Sequence, residues 1–249
     1  MLLSIADWFR ELNATTGLNF TVFYDAYDAR NFFNGILVTI QLTIASVLIS
    51  IVIGVVGAFI QTAGPFWARA LIDGFVSIFR NTPPLVQMFF FYFGIGSLLP
   101  GTYNEIGLIE PWLTSFQWAV LALSLFAGAF NIEIFRSGIE AVPRTTGEAA
   151  EALGYTSFGR YRHVVLPLAL RICLPALTNN LVNLLKTTTL AYTIAVPETL
   201  YTVRQIWTAA QNVPEMMSLL LIVYIVLVGI LVWIMHIWQR SLVIPGYGR

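Results

Sequence analysis

The feature that most constrains this chain is a series of apolar stretches, each about long enough to cross a membrane. The clearest covers residues 216–238 and contains no Asp, Glu, Lys or Arg. A helix of about 20 apolar residues crosses the ~30 Å hydrocarbon layer of a bilayer. Only 10% of the 249 residues are charged, whereas soluble domains have about 25%. The sequence therefore predicts an all-α integral membrane protein.

Five membrane spans can be placed along the chain. We expect them at about residues 32–61, 83–99, 116–135, 166–186 and 216–238. Residues 187–214 are too polar to span alone, but they are long enough for a partly inserted or re-entrant helix. This division predicts an N-terminal interfacial segment (residues 1–31) followed by a transmembrane domain (residues 32–249).

Two local patterns predict structural detail within the spans. Small residues recur every four positions on the first span and predict a face for close helix packing: Ser46, Ser50, Gly54 and Ala58. Thr82 followed by Pro83 has the pattern of an N-cap and a first helical residue. The second span is therefore predicted to begin there.

The basic residues favour one orientation. With the N-terminus outside, nine of the 13 Lys and Arg residues fall on the inside. Because inner loops of membrane proteins are enriched in Lys and Arg, we expect the N-terminus outside and the C-terminus inside. This orientation places residues 147–170 in the cytoplasm.

No catalytic or nucleotide-binding motif is found in the sequence. It contains no G-x-x-x-x-G-K-[ST], H-E-x-x-H or C-x-x-C pattern. A single cysteine, Cys173, and two distant histidines make a metal cluster improbable. The net charge of zero gives no basic field for nucleic acid. We expect no enzyme activity, no metal and no cofactor in this chain.

A polar stretch, GEAAEALGYTSFGRYRHVVLPLAL (residues 147–170), interrupts the apolar sequence. Its Ala and Glu residues favour a helix, and Gly154 suits the left-handed residue that ends one. Thr156 or Ser157 can cap a second short helix. A helix–Gly–helix of this kind fits a docking element for another protein or an ordinary solvated loop.

The spacing within this stretch resembles the membrane-subunit signature of ABC importers. The signature is E-A-A, three residues, Gly, nine residues, a β-branched residue, one residue and Leu-Pro. It falls on residues 148–167, with Val164 where the family usually has Ile. Three further blocks resemble those of polar-amino-acid permeases: residues 79–94 (Asn81 replacing Gly), 131–143 and 179–198 (Thr187 where Asp is common).

The resemblance, which covers about residue 35 to the C-terminus, implies a type I ABC importer permease of the bacterial inner membrane. Its substrates would be polar amino acids, with acidic amino acids and opines among the candidates. It implies an ATPase dimer that binds ATP and Mg²⁺, a second permease chain and a periplasmic binding protein as partners. It also assigns ATPase docking to Glu148, Ala149, Ala150, Leu153, Gly154 and Arg160.

Polar residues inside the predicted spans are candidates for a substrate path: Gln87, Glu133, Asn179, Asn183 and Lys186. Ionisable groups are expensive inside a membrane, which favours a function for them. The alternative is structural, because amides can join helices and charges near the interface can pair or snorkel.

Two other functions compete with an ABC permease. An ion-coupled secondary transporter could use Glu133 and Lys186 as a relay, although it would leave the cytoplasmic signature unexplained. A structural or assembly subunit without a path of its own is the second alternative.

Overall fold

The computed structural model of the protein describes residues 5–103 and 109–241. Apart from turns and connecting loops, these residues are helical except for two short strands, β1 (Thr102–Tyr103) and β2 (Ile109–Glu110), which pair antiparallel. The outer limits of the two predicted regions, residues 1 and 249, lie outside the described residues.

Ten α-helices are found in the described part of the chain. They are α1 (Ile5–Thr16), α2 (Ala26–Ala63), α3 (Phe66–Asn81), α4 (Pro84–Phe89), α5 (Ser115–Glu140), α6 (Arg144–Ala152), α7 (Ser157–Arg160), α8 (Leu166–Thr187), α9 (Thr199–Ala210) and α10 (Val213–Ser241). π-Helical turns extend α4 over Phe90–Ile95 and join α7 to α8 over Tyr161–Val165. 3-10 turns cover Thr21–Phe23, Gly96–Leu98 and Thr188–Ile194.

Four helical stretches are long and apolar enough to cross a membrane. They are Ala26–Ala63, Ser115–Glu140, Ser157–Ile194 and Val213–Ser241, and a shorter apolar stretch covers Pro84–Leu98. The predicted all-α membrane class is confirmed. The polar region after α8 forms a 3-10 turn and the 12-residue helix α9.

The predicted second span, about residues 83–99, corresponds to the apolar stretch Pro84–Leu98, but Thr82 is not its N-cap. Thr82 ends α3, and its hydroxyl donates back to the Ile78 carbonyl at 2.8 Å. α4 begins at Pro84, and the carbonyl of Pro83 accepts from the Gln87 amide at 3.1 Å. Thr82 therefore completes the preceding helix, and Pro83 takes the capping position one residue later.

The chain divides into two compact units. The first contains Met1–Ala45, Met88–Val120 and Leu185–Gly229, and the second contains Ser46–Gln87, Leu121–Leu184 and Ile230–Arg249.

In the second unit, the small-residue stripe of α2 packs closely against α5. Ser46, Ser50, Gly54 and Ala58 are all buried, and a Cβ on Gly54 would lie 2.5 Å from the Cβ of Asn131. The predicted packing face is confirmed.

Beside this contact, a buried polar network joins α2, α5 and α8. The Asn131 amide donates to Ser50 at 3.2 Å, and the Asn180 amide donates to Asn131 at 2.8 Å. Such pairing satisfies amides that burial would otherwise penalise.

In the first unit, α9 packs on the N-terminal part of α2 and the start of α10. Its core contains Val22, Phe32, Val203, Ile206 and Met216. The α9 N-cap is Glu198, which has no exposed surface and accepts from the amides of Leu200 and Tyr201. Burial raises the pKa of Glu198 from 4.5 to about 7.

Candidate docking segment and polar cavities

The helix–Gly–helix segment, residues 144–165, is closed by local hydrogen bonds. Gly154 has φ +86°, a conformation that side chains disfavour. The Tyr155 amide donates to the Ala150 carbonyl at 3.1 Å, and the Gly154 amide donates to the Glu151 carbonyl at 2.9 Å. This pair of bonds is a Schellman motif, so the predicted helix end at Gly154 is confirmed.

The second half of the segment starts at a side-chain cap. Thr156 accepts from the Gly159 amide at 3.1 Å, which selects Thr156 over Ser157 as the N-cap. From α7 the chain continues through a π-helical turn directly into α8. The segment is therefore joined to a membrane-spanning helix without an intervening flexible loop.

The structure divides the six predicted docking residues between two environments. Glu148, Ala149, Leu153 and Gly154 are exposed, and Leu153 is 79% exposed although it is apolar. Ala150 is buried, and Arg160 is half-buried in an ion pair with Glu151. The exposed four can contact another protein, whereas Ala150 and Arg160 hold the segment together.

An aromatic contact joins the segment to α2. The Phe59 ring lies 4.6 Å from the Tyr161 ring and 6.3 Å from the Phe158 ring, centroid to centroid. These residues line a cavity of about 640 Å³, here called the segment cavity, together with charged residues of the segment. This contact of Phe59 could not be predicted from the sequence, because its partners are distant along the chain.

Glu133, a predicted path residue, is the centre of an ion-pair network. Its carboxylate lies 2.8 Å from Arg136 and 3.6 Å from Arg80, and Arg136 also pairs with Glu140 at 2.7 Å. The network joins α5 to α3. This geometry favours the structural interpretation of Glu133.

Gln87 is buried at the turn between α3 and α4. Its amide nitrogen donates to the Phe79 carbonyl at 2.8 Å and to the Thr82 hydroxyl at 2.6 Å. These bonds fix the turn, so the geometry also favours a structural role for Gln87.

The three remaining path candidates are exposed on α8. Asn179 and Asn183, one helical turn apart, share a face of the helix, and Lys186 is exposed in its last turn. Polar side chains on a membrane-spanning helix face other protein or a water-filled path rather than lipid.

A second cavity, with charged and amide side chains among its lining residues, lies between the start of α2 and α9. This α2–α9 cavity has a volume of about 580 Å³ and is lined by Tyr27, Asp28, Asn31, Tyr201, Arg204, Gln205, Ile206, Thr208 and Ala209. Sequence reasoning missed it, because its two walls are far apart along the chain.

Comparison with known proteins identifies the family. The family described as "Binding-protein-dependent transport system inner membrane component" matches residues 50–243.

Individual relatives agree with this match. The nopaline transport system permease protein of Agrobacterium fabrum is 36% identical over 71% of this chain and 73% of its own. The histidine/lysine/arginine/ornithine transport system permease protein of Salmonella typhimurium is 33% identical over 84% of this chain and 92% of its own. The crystal structure of an amino acid ABC transporter with histidines superposes on this chain with a TM-score of 0.72. The two chains are 25% identical, and the superposition covers 86% of this chain and 94% of the other.

Proposed function

The chain belongs to the binding-protein-dependent transport system inner membrane component family, and from this membership we propose how it takes up its substrate. It is the membrane-spanning permease subunit of a type I ABC importer. The proposed substrates are polar amino acids, including acidic amino acids, or amino-acid conjugates such as opines. The named substrates of the two relatives, an opine and four basic amino acids, support this class.

The proposed partners follow from the same membership. A periplasmic binding protein delivers the substrate, a cytoplasmic ATPase dimer binds ATP and Mg²⁺, and a second permease chain completes the path. In this arrangement the N-terminus is periplasmic and the C-terminus is cytoplasmic. The nine-to-four distribution of basic residues supports that orientation.

The observation that carries the proposal is the exposed face of the helix–Gly–helix segment. Leu153 is the C-cap of α6 and is 79% exposed, and Glu148 is exposed on α6 itself. An apolar side chain with a charged residue at its rim is typical of a protein interface. We assign this face to the ATPase.

The geometry also offers a route for the movement. When ATP closes the ATPase dimer, a displacement of the segment reaches α8 through the π-helical turn at Tyr161–Val165 and reaches α2 through Phe59. A ligand that binds two states differently shifts the equilibrium between them. ATP would thus bias the permease toward its outward-open state, and hydrolysis would reset it.

Co-purification tests the docking assignment. In Glu148→Arg we expect the tagged permease to lose its ATPase subunit, because a charge reversal opposes the original contact. Glu11→Arg reverses an equally exposed acid on α1 and should retain the subunit. If the Glu148→Arg variant and the Leu153→Asp variant both retain the ATPase, the docking assignment is contradicted.

Uptake assays test the substrate class and the energy source. Proteoliposomes with the binding protein are tested with nopaline, histidine, lysine, arginine, ornithine, glutamate and aspartate. The proposal is supported if at least one of these compounds is taken up and if this uptake stops when the ATPase cannot hydrolyse ATP. Uptake that persists under those conditions would favour an ion-coupled transporter.

The α8 face is the proposed substrate path within this chain. Asn183→Ala and Lys186→Ala should each lower uptake while the complex still assembles. Equal uptake by wild type and both variants would remove this face from the path.

A further inference from the structure

Opposite charges line the α2–α9 cavity without pairing to each other. Asp28 comes from α2 and Arg204 from α9. No ion pair joins them within the part of the chain that the structure describes. An acidic and a basic side chain that line one cavity without forming an ion pair can bind a ligand that carries both a positive and a negative charge.

The Asp28 carboxylate is available to a ligand. Its backbone amide donates to the Asp25 carboxylate at 2.9 Å. Its own side-chain oxygens accept no hydrogen bond from residues 5–103 or 109–241. Asp28 is half-buried, and no described residue donates a hydrogen bond to its carboxylate.

Arg204 is held in place but only partly engaged. Its Nη1 donates to the Tyr192 hydroxyl at 2.6 Å, and the guanidinium carbon lies 5.2 Å from the centre of that ring. Nη2 and Nε have no partner among the described residues. A guanidinium with two free donors can bind a carboxylate through two parallel hydrogen bonds.

We propose that the α2–α9 cavity binds the zwitterionic head of an α-amino acid, with its ammonium at Asp28 and its carboxylate at Arg204. This inference rests on the proposed function, since it assumes that amino acids or their conjugates are the substrates. It adds a second location for substrate, separate from the polar face of α8.

The other lining residues fit such a head group. Asn31 and Gln205 supply amides that can donate or accept hydrogen bonds, and Tyr27 and Tyr201 supply aromatic walls with hydroxyls. The volume of about 580 Å³ falls within the range of about 300–1,000 Å³ that is usual for small-molecule pockets. The cavity therefore has room for side chains of different size beyond a common head group.

The position of the cavity suggests when it acts. It lies at the N-terminal end of α2, the end that faces the periplasm in the proposed orientation. A substrate released by the binding protein would meet it before the membrane interior. The cavity would then bind the α-amino acid head group first, and the substrate side chain would be recognised later, deeper in the membrane.

Direct binding to the assembled complex tests this site. The permease with its partner subunits is placed in nanodiscs without the binding protein. Tritiated arginine, histidine and glutamate are then tested as probes by scintillation proximity. We expect Asp28→Asn and Arg204→Gln each to weaken binding at least about tenfold, because each removes a charged hydrogen-bonding partner of the ligand. Arg204→Lys, which keeps the charge, should recover part of the affinity.

Matched variants and analogues sharpen the result. Glu11→Gln and Arg30→Gln neutralise exposed charges outside the cavity and should bind as wild type does. Excess unlabelled agmatine, which is arginine without its carboxylate, should not displace arginine, and neither should a deaminated analogue.

The outcomes separate this site from the proposed function. Wild-type binding in both Asp28→Asn and Arg204→Gln, with ATP-dependent uptake intact, overturns the cavity site and leaves the importer standing. Absence of uptake for every amino acid and for nopaline in the wild type overturns the substrate class itself. A lower unfolding midpoint shared by Arg204→Gln and Arg204→Lys, with unchanged binding by Asp28→Asn, also overturns the site.

Discussion

The segment cavity and the α2–α9 cavity are similar in size but differ in whether an ion pair lines them. The segment cavity contains one ion pair, Arg160 with Glu151, and is also lined by Arg144 and Glu148, which form no ion pair with the described residues. The α2–α9 cavity contains Asp28 and Arg204, which do not pair. Charges that satisfy each other fix the shape of a segment, whereas charges that remain apart can be satisfied by a ligand.

The two cavities also differ in the arrangement of the side chains that line them. Phe59 and Tyr161 give the segment cavity an aromatic floor, through which a push can pass to α2. The α2–α9 cavity combines the rings and hydroxyls of Tyr27 and Tyr201 with side-chain amides and with the charges of Asp28 and Arg204. The first is suited to transmit movement, and the second is suited to recognise a small polar molecule. Four predictions test this difference, from the largest expected effect to the smallest.

The left-handed turn of the segment gives the largest expected effect. A side chain in this conformation costs about 1–2 kcal/mol, which corresponds to about a tenfold change in an equilibrium. We expect Gly154→Val to lower ATP-driven uptake about tenfold. Gly17 has a similar φ of +76° and equally open surroundings, so Gly17→Val should show similar strain with unchanged uptake. Equal uptake in both variants would show that the turn at Gly154 does not transmit movement from the ATPase.

The aromatic contact should have the next largest effect. Removing the ring in Phe59→Ala deletes stacking worth about 0.5–1.5 kcal/mol, and we expect about a fivefold loss of uptake. ATPase co-purification should stay normal, because the exposed docking face is untouched. Phe66→Ala, which removes an exposed ring on α3, is the control. Loss of the ATPase subunit from Phe59→Ala would assign Phe59 to docking instead of transmission.

A third prediction concerns Glu198, a buried acid on the α9 side without a cationic partner among the described residues. Its pKa is about 7 in the fold and 4.5 ordinarily, so the fold favours the protonated form. Its stabilising contribution is complete below pH 4.5 and is lost as the pH rises through 7.

Between pH 6 and pH 8 this loss amounts to about 1 kcal/mol. The unfolding midpoint, followed by tryptophan fluorescence, should fall less over this interval in Glu198→Gln than in wild type. Parallel slopes for Glu198→Gln and wild type would contradict the prediction.

The smallest effect compares a paired acid with an unpaired one. Glu151→Gln removes a partly exposed ion pair, worth about 0.2–1 kcal/mol in typical cases. Asp28→Asn removes no pair and only a charge in the first turn of α2, so it should lower the unfolding midpoint by no more than Glu151→Gln does. Midpoints measured in the absence of substrate decide this. A larger loss in Asp28→Asn than in Glu151→Gln would mean that Asp28 is structural.

Sequence reasoning succeeded where the determining interactions are local. An α-helix satisfies its own backbone hydrogen bonds in lipid, so apolar length predicted the membrane class. The turn at Gly154 and the cap at Thr156 depend on neighbouring residues only, and both were predictable. The N-cap of α4 lies one residue later than predicted, because the Thr82 hydroxyl donates back to α3 instead of capping α4.

It failed where the partners are distant along the chain. Nothing near Phe59 predicts contact with Tyr161, and nothing near Asp28 predicts a shared cavity with Arg204. The sequence leaves Glu133 open between a substrate path and a structural role, and the ion pairs with Arg80 and Arg136 favour the structural one. Such contacts require the tertiary arrangement.

The exposed Asn179 on α8 has a consequence for the supply of this protein in the cell. A copy that finds no partner subunit leaves this amide against hydrocarbon, which is unfavourable. Orphan copies should therefore be the preferred substrates of membrane quality-control proteases. The amount of working importer would then be set by the scarcest subunit, and overproducing this chain alone would yield rapid turnover instead of more transport.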